Sequence, residues 1–165
     1  MILYHGTTVT VEHPQIIRAE IGRDFGFAFY TTAIRAQAER WAVRKSVIEG
    51  RRRRRPVAAV VNVYEWNQDI HGLHYKKFEE TSMEWLDMIL HCRSNPDFVH
   101  GYDIVEGKIA NDNVGETVSF VMQGIMRKED AIERLRFEKI NNQIAFCTEK
   151  ALTTLNYVRC YVVEG

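Results

Sequence analysis

ILYHGT (Ile2–Thr7) opens the chain, and its residues are mostly apolar or of types that favour β-strands. A second β-rich stretch, TLNYVRCYVV at 154–163, lies near the other end. Between these stretches, apolar residues recur at helical spacing in four segments, at about 33–48, 81–92, 114–123 and 128–138. Strands at both ends with helices between them predict an α+β fold in which the first and last strands share a sheet.

Four further strands are predicted from apolar or alternating runs at 27–30, 57–64, 103–109 and 143–148. The second of these runs is apolar almost throughout, which is typical of a strand covered on both faces. Thr81 and Glu84 have the spacing of a capping box at the start of the second helix, and a short helical turn is predicted around Lys150. A loop before Pro56 is predicted for five consecutive arginines, namely Arg51, Arg52, Arg53, Arg54 and Arg55.

Composition narrows the class of protein. The 165 residues are 45% hydrophobic, and we expect one domain over 1–165. Lys+Arg and Asp+Glu both number 22, so no net charge draws the protein to nucleic acid or to an anionic membrane.

Three widely spaced cysteines fit reduced core thiols, which favours the cytoplasm. No apolar run approaches the roughly 20 residues that span a bilayer, and we expect neither a membrane span nor a signal peptide.

Three separated motifs carry the functional argument, and they occur in the order LYHGT at 3–7, GFAFYTT at 26–32 and NQIAFCT at 142–148. In this order they resemble the motifs of ADP-ribosyltransferases of the poly-ADP-ribose polymerase, or His-Tyr-Glu, type. The resemblance implies split β-sheets with flanking helices and NAD as co-substrate. It further implies transfer of ADP-ribose to a macromolecule with release of nicotinamide.

The first motif contributes His5 and Gly6. In the family that this motif resembles, the histidine bonds a ribose hydroxyl of NAD and the glycine backbone pairs with the nicotinamide amide. Imidazole can donate to or accept from a hydroxyl, and a residue without Cβ lets the backbone approach a flat carboxamide closely. Thr7 or Thr8 adds a candidate hydroxyl contact.

The second motif contributes Tyr30, followed by Ala38 eight positions later and Trp41 eleven positions later. The resemblance implies that the Tyr30 ring stacks on nicotinamide and that Ala38 and Trp41 line the pocket. The family often has serine where this chain has Ala38, so one hydroxyl contact to the carboxamide is missing. The alternative is that Tyr30, Ile34, Ala38 and Trp41 form a stripe of core residues.

The third motif departs from the family, because Gln143 stands where active relatives have glutamate. That carboxylate stabilises the positive charge that develops when the glycosidic bond breaks, and loss of such a group typically slows a reaction about a hundred- to thousandfold. Gln143 retains a carbonyl oxygen that can orient the ribose. Other candidate carboxylates are Glu106, Asp112 and Glu149. The departure leaves open a catalytically weak or inactive module that binds NAD, ADP-ribose or a protein partner.

Two further segments extend the interpretation. Arg23, next to Asp24, is a candidate for bidentate contact with the NAD pyrophosphate, with a surface ion pair as the alternative. The segment GKIANDN at 107–113 resembles a recurrent feature of an uncharacterised bacterial family distantly similar to these transferases. Some members of that family are toxins encoded beside small antitoxins, which implies a possible antitoxin partner.

Other readings of the sequence stay open. The arginine run is a candidate site for nucleic acid, since local charge can act despite zero net charge. A related enzyme that removes a 2′-phosphate from RNA with NAD would need a basic cluster in the pocket. The histidines lack acidic or cysteine partners at ligand spacing, so no metal is expected. The acceptor of ADP-ribose, whether protein, nucleic acid or water, is not indicated.

Overall fold

A computed structural model of the chain describes residues 1–18, 23–108, 112–136 and 141–164, without the side chains of residues 112 and 113. In these residues seven strands and five helices are found. The strands are β1 (Ile2–Thr7), β2 (Phe29–Thr31), β3 (Val60–Trp66), β4 (Tyr75–Lys77), β5 (Ile104–Gly107), β6 (Gln143–Phe146) and β7 (Leu155–Val162). The helices are α1 (Arg35–Arg53), α2 (Met83–Ser94), α3 (Asp112–Met122), α4 (Lys128–Leu135) and α5 (Glu149–Leu152).

The strands form two sheets. The first has the order β1-β3-β7 and is antiparallel. The second has the order β2-β6-β5-β4, in which only the β4–β5 pair is parallel. The predicted α+β class is confirmed, and the first and last strands do share a sheet, on either side of β3.

The two sheets face each other across an apolar core. Leu3, Tyr64 and Trp66 of the first sheet pack with Phe29 and Phe146 of the second. Because side chains alternate along a strand, the neighbouring residues of β5 and β6 face the opposite way. There they pack against α2, α3 and α4.

Helix α1 covers the outer face of the first sheet at unusually close range. A Cβ placed on Gly6 would lie 2.1 Å from the Ala38 carbonyl oxygen and 2.8 Å from the Ala42 nitrogen. Small residues therefore let the helix backbone lie directly on β1. The alternative of a core stripe is wrong at Ile34, which is 36% exposed, whereas Ala38 is buried.

The arginine run is not the predicted loop. Helix α1 continues through Arg53, and Arg54 ends it in a left-handed conformation with φ 53°. Arg52 and Arg53 both bond Glu49 one turn earlier. Cations in the last turn also complement the negative end of the helix dipole, which favours helix over loop here.

Smaller differences concern element ends. Ser82, not Thr81, caps α2, because its side chain accepts a hydrogen bond from the Trp85 amide. Strand β2 begins at Phe29 rather than at 27, and β4 was not predicted. The predictions for residues 109, 137 and 138 lie outside the described residues.

Two further findings concern the cysteines and the helices. Cys92, Cys147 and Cys160 are all unpaired, and Cys92 is buried whereas the other two are half-buried. None of the helices in the described ranges is long and apolar enough to cross a membrane.

Candidate functional site

A pocket of about 260 Å³ opens where β1 and β2 diverge. The two strands meet only briefly, through a pair of backbone hydrogen bonds between Tyr4 and Thr32 of 2.8 and 2.9 Å. Beyond that bridge the sheets separate and leave the pocket between them. It is lined by seven of the eight residues expected from the motifs, namely His5, Gly6, Arg23, Tyr30, Ala38, Trp41 and Gln143. Thr7 pairs with Val60 in the sheet and does not belong to the lining.

Gly6 presents its backbone toward this opening. Alternate residues of a strand direct their N–H and C=O groups to the same edge. Tyr4 uses its own groups to bond Thr32, so Gly6, two residues further on, faces the same edge past the end of the bridge. Position 6 must be glycine because a Cβ would collide with α1. Separately, the strand register turns the N–H and C=O groups of Gly6, its peptide edge, toward the pocket.

His5 is buried and held as a neutral imidazole. Its Nδ1 lies 2.7 Å from the Tyr30 carbonyl oxygen, and its ring stacks on Phe29 with centroids 4.4 Å apart. Burial, reinforced by the positive charge of Lys45 and Arg23, lowers the His5 pKa to about 3. Since a carbonyl only accepts, Nδ1 carries the proton and donates it, which leaves Nε2 with a lone pair that can accept from a hydroxyl.

Tyr30 is fixed through its hydroxyl. This group donates to the Gly26 carbonyl at 2.6 Å and accepts from the Phe25 amide at 3.1 Å. Burial and the nearby Asp24 charge raise its pKa well above the usual value, so the phenol stays protonated. The Arg23 guanidinium carbon lies 5.4 Å from the ring centroid, over one face. Tyr30 therefore offers the pocket an aromatic face rather than an acid or a base.

Asp24 forms a buried ion pair in the pocket wall. Its carboxylate, only 7% exposed as a residue, accepts from Arg93 Nε of α2 at 2.9 Å. Its second oxygen accepts from Gln143 Nε2 at 3.1 Å. Because the side-chain nitrogen of Gln143 also donates to the Lys108 carbonyl at 3.3 Å, its carbonyl oxygen remains as an acceptor. The surface ion pair considered for this segment is wrong for Asp24.

Comparison with known families gives one match. A family model described as "Protein of unknown function (DUF3990)" matches residues 1–157. The chain belongs to the DUF3990 family. Comparisons with curated proteins and with solved structures found no match. The family match spans all three motifs and the GKIANDN segment.

Two other candidate carboxylates of this DUF3990 member, those of Glu106 and Glu149, lie outside the pocket lining. Glu106 is buried but accepts from the Tyr75 hydroxyl and from Asn142 Nδ2, outside the pocket lining. Glu149 is exposed at the start of α5. The side chain of Asp112 lies outside the described part of the chain. Among the described residues of the lining, the acidic side chain is that of Asp24.

Sequence reasoning missed Gln37, which joins α1 to the third motif. Its amide nitrogen donates to the Asn142 carbonyl at 2.8 Å, and its amide oxygen accepts from the Asn142 nitrogen at 3.3 Å. Gln37 is 3% exposed and shares a helix face with Ala38 and Trp41. The sequence did contain one signal for Gln37, namely a polar side chain among residues predicted to be buried. A buried amide group needs hydrogen-bond partners.

Arg93 and Lys45 also line the pocket without having been predicted. Arg93 meets Asp24 across 69 positions of the chain, and no local pattern links the two. Lys45 lies on α1, whereas the arginine run lies at the far end of that helix and outside the lining. The run therefore supplies no basic residue to the pocket, whose described basic side chains are Arg23, Lys45 and Arg93.

Proposed function

We propose that this chain is an NAD-dependent ADP-ribosyltransferase that transfers ADP-ribose to a protein or nucleic acid and releases nicotinamide. The observation that carries the proposal is the convergence of three distant motifs on one pocket, whose residues offer the contacts that the dinucleotide needs. In the cytoplasm of a bacterium, such an activity fits a toxin held in check by a small antitoxin.

The roles follow from the chemistry of each group. His5 Nε2 accepts from a ribose hydroxyl, and the Gly6 peptide edge pairs with the nicotinamide carboxamide. The rings of Tyr30 and Trp41 flank nicotinamide, with Ala38 completing the wall. Stacking on Tyr30 requires the Arg23 guanidinium to leave the ring face, and the pyrophosphate is the anion to which it then turns.

The alternative is a module on the same fold that binds NAD or ADP-ribose, or mainly a protein partner, without turnover. Glutamine at 143 favours it, because a neutral amide stabilises a developing cation poorly. The two functions differ in one observable. A silent module binds the dinucleotide and releases no nicotinamide in the presence of cell lysate.

The test is calorimetric titration of NAD into the wild type, His5→Ala and Tyr30→Ala, followed by measurement of nicotinamide release in the same samples with and without lysate. We expect binding by the wild type, its loss in both variants and lysate-dependent release. His13→Ala is the matched control, since His13 is exposed and is not part of the lining. A folded wild type that does not bind NAD would overturn the proposal.

A further inference from the structure

The pocket presents an unusual charge arrangement. Its described lining contains three cationic side chains, Arg23, Lys45 and Arg93, and the acidic one of Asp24. A cation that forms in such a pocket is repelled by the first three groups and attracted by the fourth. In a site with little water these interactions are stronger than in solvent. Among the described residues of the lining, Asp24 is therefore the group whose charge favours a sugar cation.

We propose that Asp24 is the carboxylate that stabilises the ribosyl cation during cleavage of the nicotinamide–ribose bond, and that Gln143 positions it. This inference rests on the proposed transferase function. The C1′–nitrogen bond breaks, and its electron pair goes to the nicotinamide ring nitrogen, which becomes neutral. The acceptor then forms a bond to C1′ and releases its proton to solvent. Asp24 forms no bond and acts through its charge.

The hydrogen bonds of Asp24 hold it in place for this role. Arg93 donates to one carboxylate oxygen through both Nε and Nη2, and Gln143 donates to the other. The carboxylate comes from the segment before β2, whereas its two partners come from α2 and from the first residue of β6. Three separate parts of the chain thus fix one charge, which is the preorganisation that electrostatic catalysis needs.

The same contacts give a reason for glutamine at 143. A glutamate there would place a second carboxylate where Gln143 Nε2 now lies 3.1 Å from Asp24. Two carboxylates that close cannot both remain ionised without a large energetic cost. A glutamine instead donates to Asp24 and still offers a carbonyl oxygen to the ribose. In this arrangement the negative charge lies at position 24 rather than at position 143, and the amide of Gln143 donates a hydrogen bond to it.

The decisive experiment is a charge swap. Nicotinamide release and NAD affinity are measured for the wild type, Asp24→Asn, Gln143→Glu and the double variant Asp24→Asn/Gln143→Glu. We expect Asp24→Asn to lower the release rate about a hundred- to thousandfold, with the NAD dissociation constant changed only a few-fold. Gln143→Glu also slows release, because the two carboxylates then share a proton. The double variant recovers at least tenfold over Asp24→Asn, which a merely structural role for either residue would not produce.

Two controls separate charge from folding. Glu106→Gln changes another buried carboxylate, outside the pocket lining, and we expect its release rate to match the wild type. Asp24→Asn alone leaves the Arg93 guanidinium without its carboxylate partner and could unfold the protein. The double variant Asp24→Asn/Arg93→Gln removes both charges of the ion pair and avoids this problem. We expect this variant to fold and to release nicotinamide as slowly as Asp24→Asn.

The outcomes distinguish this inference from the proposed function. Failure of the wild type to bind NAD overturns the proposed function. If the wild type binds NAD and releases nicotinamide, but folded Asp24→Asn or Asp24→Asn/Arg93→Gln does so at the same rate, only the role of Asp24 is overturned. Absence of rescue in the charge swap, with Asp24→Asn slow, overturns the role of Gln143.

Discussion

His5 connects the stability of the protein with the chemistry of its pocket. Its Nδ1–H is used by the Tyr30 carbonyl, so the acceptor function of Nε2 depends on the ring staying neutral. The lowered pKa, caused first by burial, keeps the ring neutral until the pH approaches about 3. Under the proposed function, ribose binding and the neutral state of the ring therefore depend on the same buried side chain.

This residue predicts a specific acid sensitivity. In the unfolded chain a histidine takes up a proton near pH 6.5, whereas folded His5 does so only near pH 3. The unfolding free energy is therefore unaffected by His5 above pH 6.5 and falls by about 1.4 kcal/mol per pH unit as the pH drops below it. Urea unfolding at several pH values between 6 and 4 measures this slope. We expect His5→Gln to reduce the measured slope by about 1.4 kcal/mol per pH unit, while buried His100, whose pKa is also lowered by burial, contributes to the slope that remains. His13→Gln should keep the slope of the wild type, and equal slopes in all three proteins would contradict the assigned state of His5.

The motif residues of the pocket could be predicted from the sequence, whereas the contact between Asp24 and Arg93 could not. His5, Tyr30 and Gln143 belong to short motifs whose residue types suggest their chemistry. Asp24 and Arg93 belong to no such motif, and the contact between them depends on where α2 ends relative to the segment before β2. Only the tertiary structure determines that relation.

Among the elements, α1 has the strictest fit, because its backbone rests on β1 at Gly6. We predict that Gly6→Ala lowers the unfolding free energy by about 3 kcal/mol or more, since the new methyl group would meet backbone atoms that cannot rotate away. The displaced helix also carries Ala38 and Trp41 away from the pocket, so NAD binding is lost. Gly115→Ala in α3 is the control, as its nearest neighbour is a side-chain atom 4.0 Å away. There we expect a gain of about 0.5–1 kcal/mol from helix propensity. A stable Gly6→Ala protein would contradict the close contact.

At the C-terminal end of the same helix, we expect glycine substitutions at two neighbouring arginines to change the unfolding free energy in opposite directions. Arg54 has φ 53°, a conformation that favours glycine, so Arg54→Gly should raise the unfolding free energy by about 0.5–1 kcal/mol. Arg53→Gly removes the same charge from inside the helix and should lower it by about 1 kcal/mol. Chemical denaturation of both variants tests this. Equal shifts in one direction would mean that charge, not backbone conformation, controls the helix end.

Element predictions succeeded where periodicity was strong and failed where it was weak. Strand β3 and helix α2 have long apolar patterns, and both were predicted. Strand β4 is three residues long with the sequence YKK, which shows no alternation. The helical turn of arginines was taken for a loop because a run of charge suggests exposure, although arginine itself is a good helix former.

At the scale of the whole molecule, the pocket depends on the separation of the two sheets. Its walls come from β1, β2, β6, α1 and the end of α2, so both sheets and two helices contribute to it. The α+β class and the shared sheet of the first and last strands followed from the order of elements. The placement of β3 between those strands did not follow from it, and neither did the Tyr4–Thr32 bridge between the sheets, because both depend on the packing of distant segments.

A ligand held by so many elements must stabilise all of them together. At a free NAD concentration of 100 times the dissociation constant, the proposed function predicts a gain in unfolding free energy of about 2.7 kcal/mol. For a chain of this size that gain corresponds to a rise in melting temperature of about 5–10 °C, measurable by differential scanning calorimetry. His5→Ala should melt at the same temperature with and without NAD, whereas His13→Ala should respond as the wild type does. An equal rise in His5→Ala would place the bound NAD at another surface, since neither the lone pair of Nε2 nor the His5 ring would then contribute to binding.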